Sequence, residues 1–137
     1  MAANIRLEVV TPRKEVVNEE TQIIVARGVL GEFGVLTGHT PFMTSLKIGT
    51  IRYTDVQGQE HCVFVSGGFA EALPDKVTVL AESAERRCDI DLDRAKAAME
   101  RAQKRIEEKS DEIDFTRAHL ALRRSIQRIQ LAESRRS

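Results

Sequence analysis

All eight glycines and all three prolines of this 137-residue chain lie at or before Pro74. Both residue types punctuate tight turns and neither suits a helix interior. The front of the chain is therefore built for short elements and the back for long uninterrupted ones. The densest cluster, residues 28–49, reads GVLGEFGVLTGHTPFMTSLKIG and gathers Gly28, Gly31, Gly34, Gly38, Gly49 and Pro41. With 42% hydrophobic residues, a chain of this length supports one core with an appendage, not two full domains.

At the start, Ile5, Leu7 and Val9 alternate with Arg6 and Glu8, which is the period of a strand with one buried face. Thr11-Pro12 ends it. Short apolar runs recur at residues 15–17, 22–26, 35–36, 50–54, 60–66 and 76–81, bounded by glycine, proline or polar turn residues. Such spacing predicts a β-sandwich or barrel. Residues 55–58 read as a hairpin loop in which Gly58 takes positive φ. Ser66-Gly67-Gly68-Phe69 predicts a bulge or a close backbone approach before Phe69 returns to the core. Phe33, Phe42, Tyr53, Phe64 and Phe69 are the expected packing anchors.

Beyond Ala84 the pattern changes. Leu92, Ala95, Met99, Ala102 and Ile106 step by three and four, placing a narrow seam on one helix, with Asp89 or Asp91 as its N-cap and Asp93 in the first turn. A second seam runs through Phe115, Ala118, Leu122, Ile126 and Ile129, with Ser110 or Asp111 as cap. The short connection makes the two helices antiparallel neighbours. The predicted fold is thus β + α: a β-sandwich or barrel over residues 1–85, then a two-helix hairpin over 86–137. Both seams are thin and alanine-rich, so the hairpin either lies against the sandwich or swings away to another partner.

Net charge is zero, yet residues up to Glu85 hold seven basic and eleven acidic side chains and the rest hold fourteen and ten. A basic tail suits an acidic docking surface. Its helices carry Arg94, Lys96, Arg101, Lys104, Arg105, Arg117, Arg123, Arg124 and Arg128, which a solvated face with i,i+4 pairs also explains. Cys62 and Cys88 make neither a disulfide framework nor a metal knuckle, so a reducing compartment is expected. No run reads as a signal peptide or approaches membrane-spanning length, so the chain is expected to be soluble, with any membrane link made through a partner.

Catalytic signals are sparse. The glycines of residues 31–38 lack the GxxxxGK[ST] pattern and sit between strands, so tight turns explain them better than a phosphate cradle. Adjacent His61 and Cys62 point to opposite faces of a strand and make no dyad. Cys62 reads as a small buried residue, and His119 as a helix-flank residue. No metal set emerges. One pattern remains: Ile90-Asp91-Leu92-Asp93-Arg94-Ala95 opens the first helix, and Arg124 and Arg128 lie one turn apart on the second. A helix start with convergent guanidinium groups suits a polyphosphate.

GEFGVLTGHTPFMTSLKIG, then VFVSGGFAEALPDKVTVLAESAE, then a two-helix tail, resembles the epsilon subunit of the F-type ATP synthase. The GxxGxLxGHxP and SGGFxE blocks are specific to that family. Thr37 stands where the family often has proline, and Phe42-Met43 where leucines are common. The resemblance implies a sandwich of two antiparallel sheets with a C-terminal helical hairpin, and a non-catalytic rotor part on the cytoplasmic face of the bacterial inner membrane. It implies that the sandwich clamps the gamma subunit and rests on the c-ring, helping to couple proton flow to ATP synthesis on other chains. Glu32 and His39, from the GEFGxLxGH match, are the expected c-ring contacts. It also implies a switch: the folded hairpin permits ATP hydrolysis, and the extended hairpin restrains it by meeting the alpha and beta subunits. Arg123, Arg124 and Arg128 are the expected beta-subunit contacts. The [I/L]DxxRA motif of ATP-binding members falls on Ile90, Asp91, Arg94 and Ala95, with Arg124 and Arg128 as the second-helix arginines. ATP is then a regulatory ligand, with no other cofactor and no metal. The alternatives are a small scaffold or a nucleic-acid-binding domain using the basic hairpin. Interspersed acids, and Phe115 as the tail's single aromatic, weaken the nucleic-acid reading.

Overall fold

The alternation of Ile5, Leu7 and Val9 becomes strand β1 (Ile5–Val10), with all three side chains fully buried in the computed structural model. The structure describes residues 4–28, 31–108 and 112–134, the last segment by backbone alone over 112–114. β2 (Glu15–Gly28), β3 (Gly31–Val35), β4 (Phe42–Leu46), β5 (Gly49–Asp55) and β6 (Glu60–Val65) follow. Then come β7 (Gly68–Leu73), β8 (Lys76–Ala81), β9 (Ala84–Arg86), a single 3-10 turn at Arg87–Asp89, α1 (Leu92–Glu107) and α2 (Glu112–Glu133).

The runs at 15–17 and 22–26 are one strand, not two. Val17 and Thr21 face inward on its first half, and Ile24 and Ala26 on its second, because a register shift between Thr21 and Ile23 resets the alternation. Buried Thr21 is satisfied by donating its hydroxyl to the Ile5 carbonyl at 2.8 Å. This long strand joins the two layers. β1, β8, β7 and β4 lie side by side in one, and β3, β2, β5, β6 and β9 make the other, while the first half of β2 pairs with β1. All the pairings are antiparallel except β1 with β8, which is parallel. The sandwich is as expected; its layers are additionally hydrogen-bonded to each other through β2.

Side chains from both layers fill the core, among them Leu7, Ile24, Val35, Ile51, Tyr53, Val63 and Val79. The aromatic expectation needs correction. Tyr53 and Phe64 are buried, but Phe33 is only half-buried, Phe42 stacks edge-on against it at 5.2 Å near the surface, and Phe69 is 56% exposed. In β7 the inward residues are Ala70 and Ala72, so Phe69, Glu71 and Leu73 point out. Gly68 opens the strand. Its φ of 139° and the Leu80–Ala81 backbone leave no space for a side chain: a β-carbon there would lie 2.9 Å from the Ala81 Cα and overlap the Leu80 carbonyl. Gly68→Ala should therefore lower unfolding stability by about 2 kcal/mol or more. A denaturant midpoint giving less than roughly 0.5 kcal/mol would show that this contact relaxes freely.

The 55–58 hairpin is as expected. Gly58 has φ 85°, and Asp55 Oδ1 accepts from the Gln57 and Gln59 amides at 2.9 Å each. His61 Nε2 lies 2.7 Å from Asp55 Oδ2. The His61 hydrogen bond, with these amides, holds the Asp55 carboxyl below its ordinary range.

β6 is buried on both faces: Val63 and Val65 enter the sandwich core, while Cys62 and Phe64 join Leu131 of α2 in a second cluster flanked by Ile48 and Ile90. A strand covered on both sides reads as a continuous apolar run, which is why CVFV does not alternate. α1 packs on α2, and α2 lies against this outer face. In α1 the expected seam holds, with Ala95 and Ala102 buried. In α2, Ala118 is buried but Phe115 is 40% exposed, and Ser125 and Leu131 are the buried residues that periodicity passed over. Ser125 donates its hydroxyl to the Ala121 carbonyl at 2.9 Å, so it enters a helix contact without an unmet donor. The expected cap at Ser110 or Asp111 lies outside the described residues.

Candidate functional site

Between the β1–β2 turn, the β8–β9 connection and the start of α1 lies a cleft of about 800 Å³. Asp91 builds its helical side. As N-cap, its carboxylate accepts the Arg94 amide at 3.1 Å while its carbonyl accepts the Ala95 amide at 3.0 Å, so α1 starts here and aims its first turn into the opening. Arg94 is exposed there and Ala95 is buried against the wall.

From α2, Arg128 closes one end. Its Nε lies 2.5 Å from Glu85 Oε1, and its guanidinium carbon sits 4.5 Å over the centroid of Phe64. One side chain thus joins an ion pair to a cation–π contact across the junction. Arg87 makes a second tie by donating Nε to the Leu131 carbonyl at 3.1 Å and a terminal nitrogen to the Ser134 carbonyl. Leu131 lies in the last α2 turn and Ser134 just beyond it, and the Leu131 carbonyl also accepts the Ser134 amide at 3.2 Å and hydroxyl at 2.8 Å, so Arg87 joins the hydrogen bonds that close this helix end.

Four of the six residues expected to hold ATP line the cleft: Asp91, Arg94, Ala95 and Arg128. The other two do not. Ile90 packs against the Cys62, Phe64 and Leu131 cluster, because the chain turns there from the 3-10 segment into α1. Arg124 is half-buried one helical turn before Arg128 and is not part of the wall, while Arg123 is exposed. Sequence reasoning missed Arg13, Lys14, Arg101 and Glu85, all of which line the cleft. Arg101 was detectable as two turns beyond Arg94 on one helix face; the other three come from the sandwich and meet α1 only through the fold.

Glu32 and His39 make separate contacts. Exposed Glu32 pairs with Arg52 at 3.3 Å. His39 Nδ1 lies 2.7 Å from the Thr40 carbonyl, which assigns the ring proton to Nδ1, and its buried Nε2 has no partner among the described residues.

Elsewhere, Tyr53 donates its hydroxyl to Glu19, and Arg86 reaches the same hydroxyl at 3.3 Å and the Val16 carbonyl at 3.0 Å, pinning β9 to β2. Burial first, and the Glu19 hydrogen bond second, push the Tyr53 phenol upward. On the opposite layer the outward face carries an apolar patch beside the Lys76–Glu8 ion pair and Glu71. Leu80 (58% exposed) stands opposite both Phe69 and Val10 in register, with Met43 nearby on β4. Among the described residues no cluster of histidine, cysteine and carboxylate side chains could hold a metal, and no helix is long and apolar enough to cross a membrane.

A β-sandwich followed by a two-helix region is the domain order of an ATP synthase delta/epsilon chain. The family models match in order: the beta-sandwich domain of the ATP synthase Delta/Epsilon chain over residues 4–87 and its long alpha-helix domain over 89–133. The chain belongs to the epsilon-chain family of the F-type ATP synthase. It is 62% identical to the ATP synthase epsilon chain of Desulforapulum autotrophicum, covering 98% of this chain and 100% of that one. To that of Syntrophobacter fumaroxidans it is 51% identical, over 97% and 98% of the two chains. Among solved structures, a chain of the Euglena gracilis mitochondrial ATP synthase (OSCP/F1/c-ring) matches with TM-score 0.79 and 25% identity, covering 93% of this chain and 80% of that chain. A chain of the Tetrahymena thermophila enzyme matches with TM-score 0.62 at 12% identity, over 93% and 96%, and supports the fold.

Proposed function

We propose that this epsilon chain is a non-catalytic rotor part at the cytoplasmic face of the bacterial inner membrane, with its sandwich clamped to the gamma subunit and resting on the c-ring. The observation that carries this reading is the exposed apolar patch of Phe69, Leu80 and Met43, a feature of the kind that marks a protein interface. Glu32 and His39, on β3 and the loop after it, are the proposed c-ring contacts. Coupling of proton flow to ATP synthesis then follows from position and stiffness, with the chemistry done on other chains. Purification of the tagged chain from detergent-solubilised membranes is expected to bring down gamma, the c-ring, alpha and beta. Replacing Phe69 and Leu80 by serine should release gamma; retention of gamma by that variant would defeat the proposed clamp.

The hairpin is the proposed regulator. ATP in the cleft, on Asp91, Arg94, Ala95 and Arg128, stabilises the docked posture by mass action because the site exists only when helices and sandwich meet. Undocking frees Arg128 from Glu85, so that with Arg123 and Arg124 it faces acidic helices of the beta subunits in the extended posture. The cleft's four matching residues support this, and Arg124, outside the wall, belongs with the beta-subunit contacts. ATP titrated into the chain should give a saturable signal by millimolar concentration that Arg94→Ala abolishes and Arg124→Ala leaves in place. A flat titration removes the ligand.

A further inference from the structure

We propose that Arg13 and Lys14, in the turn between β1 and β2, grip the distal phosphates of the nucleotide, so that the ligand staples the sandwich to the hairpin and triphosphate is selected over monophosphate. This rests on the reading of the cleft as an ATP site.

The cations of the cleft fall into two sets. Arg128 is already engaged by Glu85 and the Phe64 ring. Arg13, Lys14, Arg94 and Arg101 line the same cleft and have no ion-pair partner among the described residues. Of the acids, Glu85 is paired with Arg128, and Asp91 keeps its charge while capping the α1 amide, so Glu82, Asp89 and Asp91 face four cations without an ion-pair partner among the described residues. The chain as a whole is neutral. Its cleft therefore carries a local positive surplus, split between two walls: Arg94 and Arg101 on the helix, Arg13 and Lys14 on the sandwich.

The sandwich wall is preorganised. Thr11 Oγ1 accepts the Arg13 and Lys14 amides at 3.3 and 3.2 Å, and the Thr11 amide donates to the Lys14 carbonyl at 2.9 Å. The turn is thereby fixed by its own hydrogen bonds, and the two cationic side chains leave from a defined base. A volume of about 800 Å³ is in the range of small-ligand sites and holds an extended ligand reaching both walls. A single phosphate can satisfy one wall; a phosphate chain has the length and charge to meet both.

Calorimetric titration of the full chain with ATP, ADP and AMP tests this. The wild-type chain is expected to bind ATP more tightly than AMP. Arg13→Ser with Lys14→Ser should weaken ATP about tenfold and leave AMP unchanged, as two lost exposed charge contacts would do. The charge reversal Arg13→Glu with Lys14→Glu should weaken ATP further, and an unchanged far-ultraviolet spectrum will show the fold intact. If the serine variant binds ATP as the wild type does, or loses ATP and AMP in equal measure, the staple is overturned while the ATP site stands. If the wild-type chain binds none of the three nucleotides, the ATP site itself falls, and the staple with it.

Discussion

Arg128→Ala is expected to shift the hairpin from docked toward undocked by about 2 kcal/mol, a factor of roughly thirty in the ratio of the two states. The value combines two modest contacts. The Glu85 pair is partly shielded, with the two side chains 24% and 32% exposed, and the guanidinium also covers the face of Phe64. Neither contact alone would give the full effect, but one truncation removes both. Hydrogen exchange of the α2 amides should accelerate by about the same factor, while those of β1 and β8 keep their wild-type rates. Arg128→Lys retains the charge without the flat stacking surface and should fall between. Equal α2 exchange in wild type and Arg128→Ala would show that the hairpin is held by something other than this residue.

Phe64→Ala should have the larger effect, about 3–5 kcal/mol, as expected for removing a fully enclosed aromatic side chain. It is fully buried because α2 covers the outer face of β6. The loss therefore falls on docking more than on the sandwich core, whose Val63 and Val65 point the other way. With so few apolar partners at the junction, the hairpin should be undocked in most molecules. Limited proteolysis is expected to cut in α1 and α2 first and leave a resistant sandwich. Leu131→Ala, from the other side of the contact, should reproduce the cleavage pattern with a smaller stability change. Loss of sandwich and hairpin in a single step would instead mean that the two fold as one cooperative unit.

Much of the fold was legible where one face alone is buried and the inward residues are large. β1 follows from its alternation and β8 from its short apolar run, and of the two cap candidates before the apolar seam, Asp89 and Asp91, the helix starts on Asp91. Legibility failed where the inward residues are small. In β7 the period of two is present, but alanines occupy the core phase and the larger Phe69 and Leu73 face outward, so side-chain size points to the wrong face. α2 shows the same effect: Ser125 is buried and Phe115 is not, since closely packed helices favour a small residue at the contact. β2 was split in two because the register shift after Thr21 interrupts its pattern. At the site, residues 90–95 were readable as one local motif. Arg13 and Lys14 were not, because they reach α1 only through strand pairings distant in sequence, and Glu85 was not, because its partner Arg128 comes from the far helix.

Strand β2 belongs to both layers, pairing with β1 over its first half and with β3 and β5 over its second. Sliding one layer across the other would have to break ladders on both halves of that strand together, so a sideways load has no easy plane of slip. A twist applied at one edge is therefore expected to load both ladders at once.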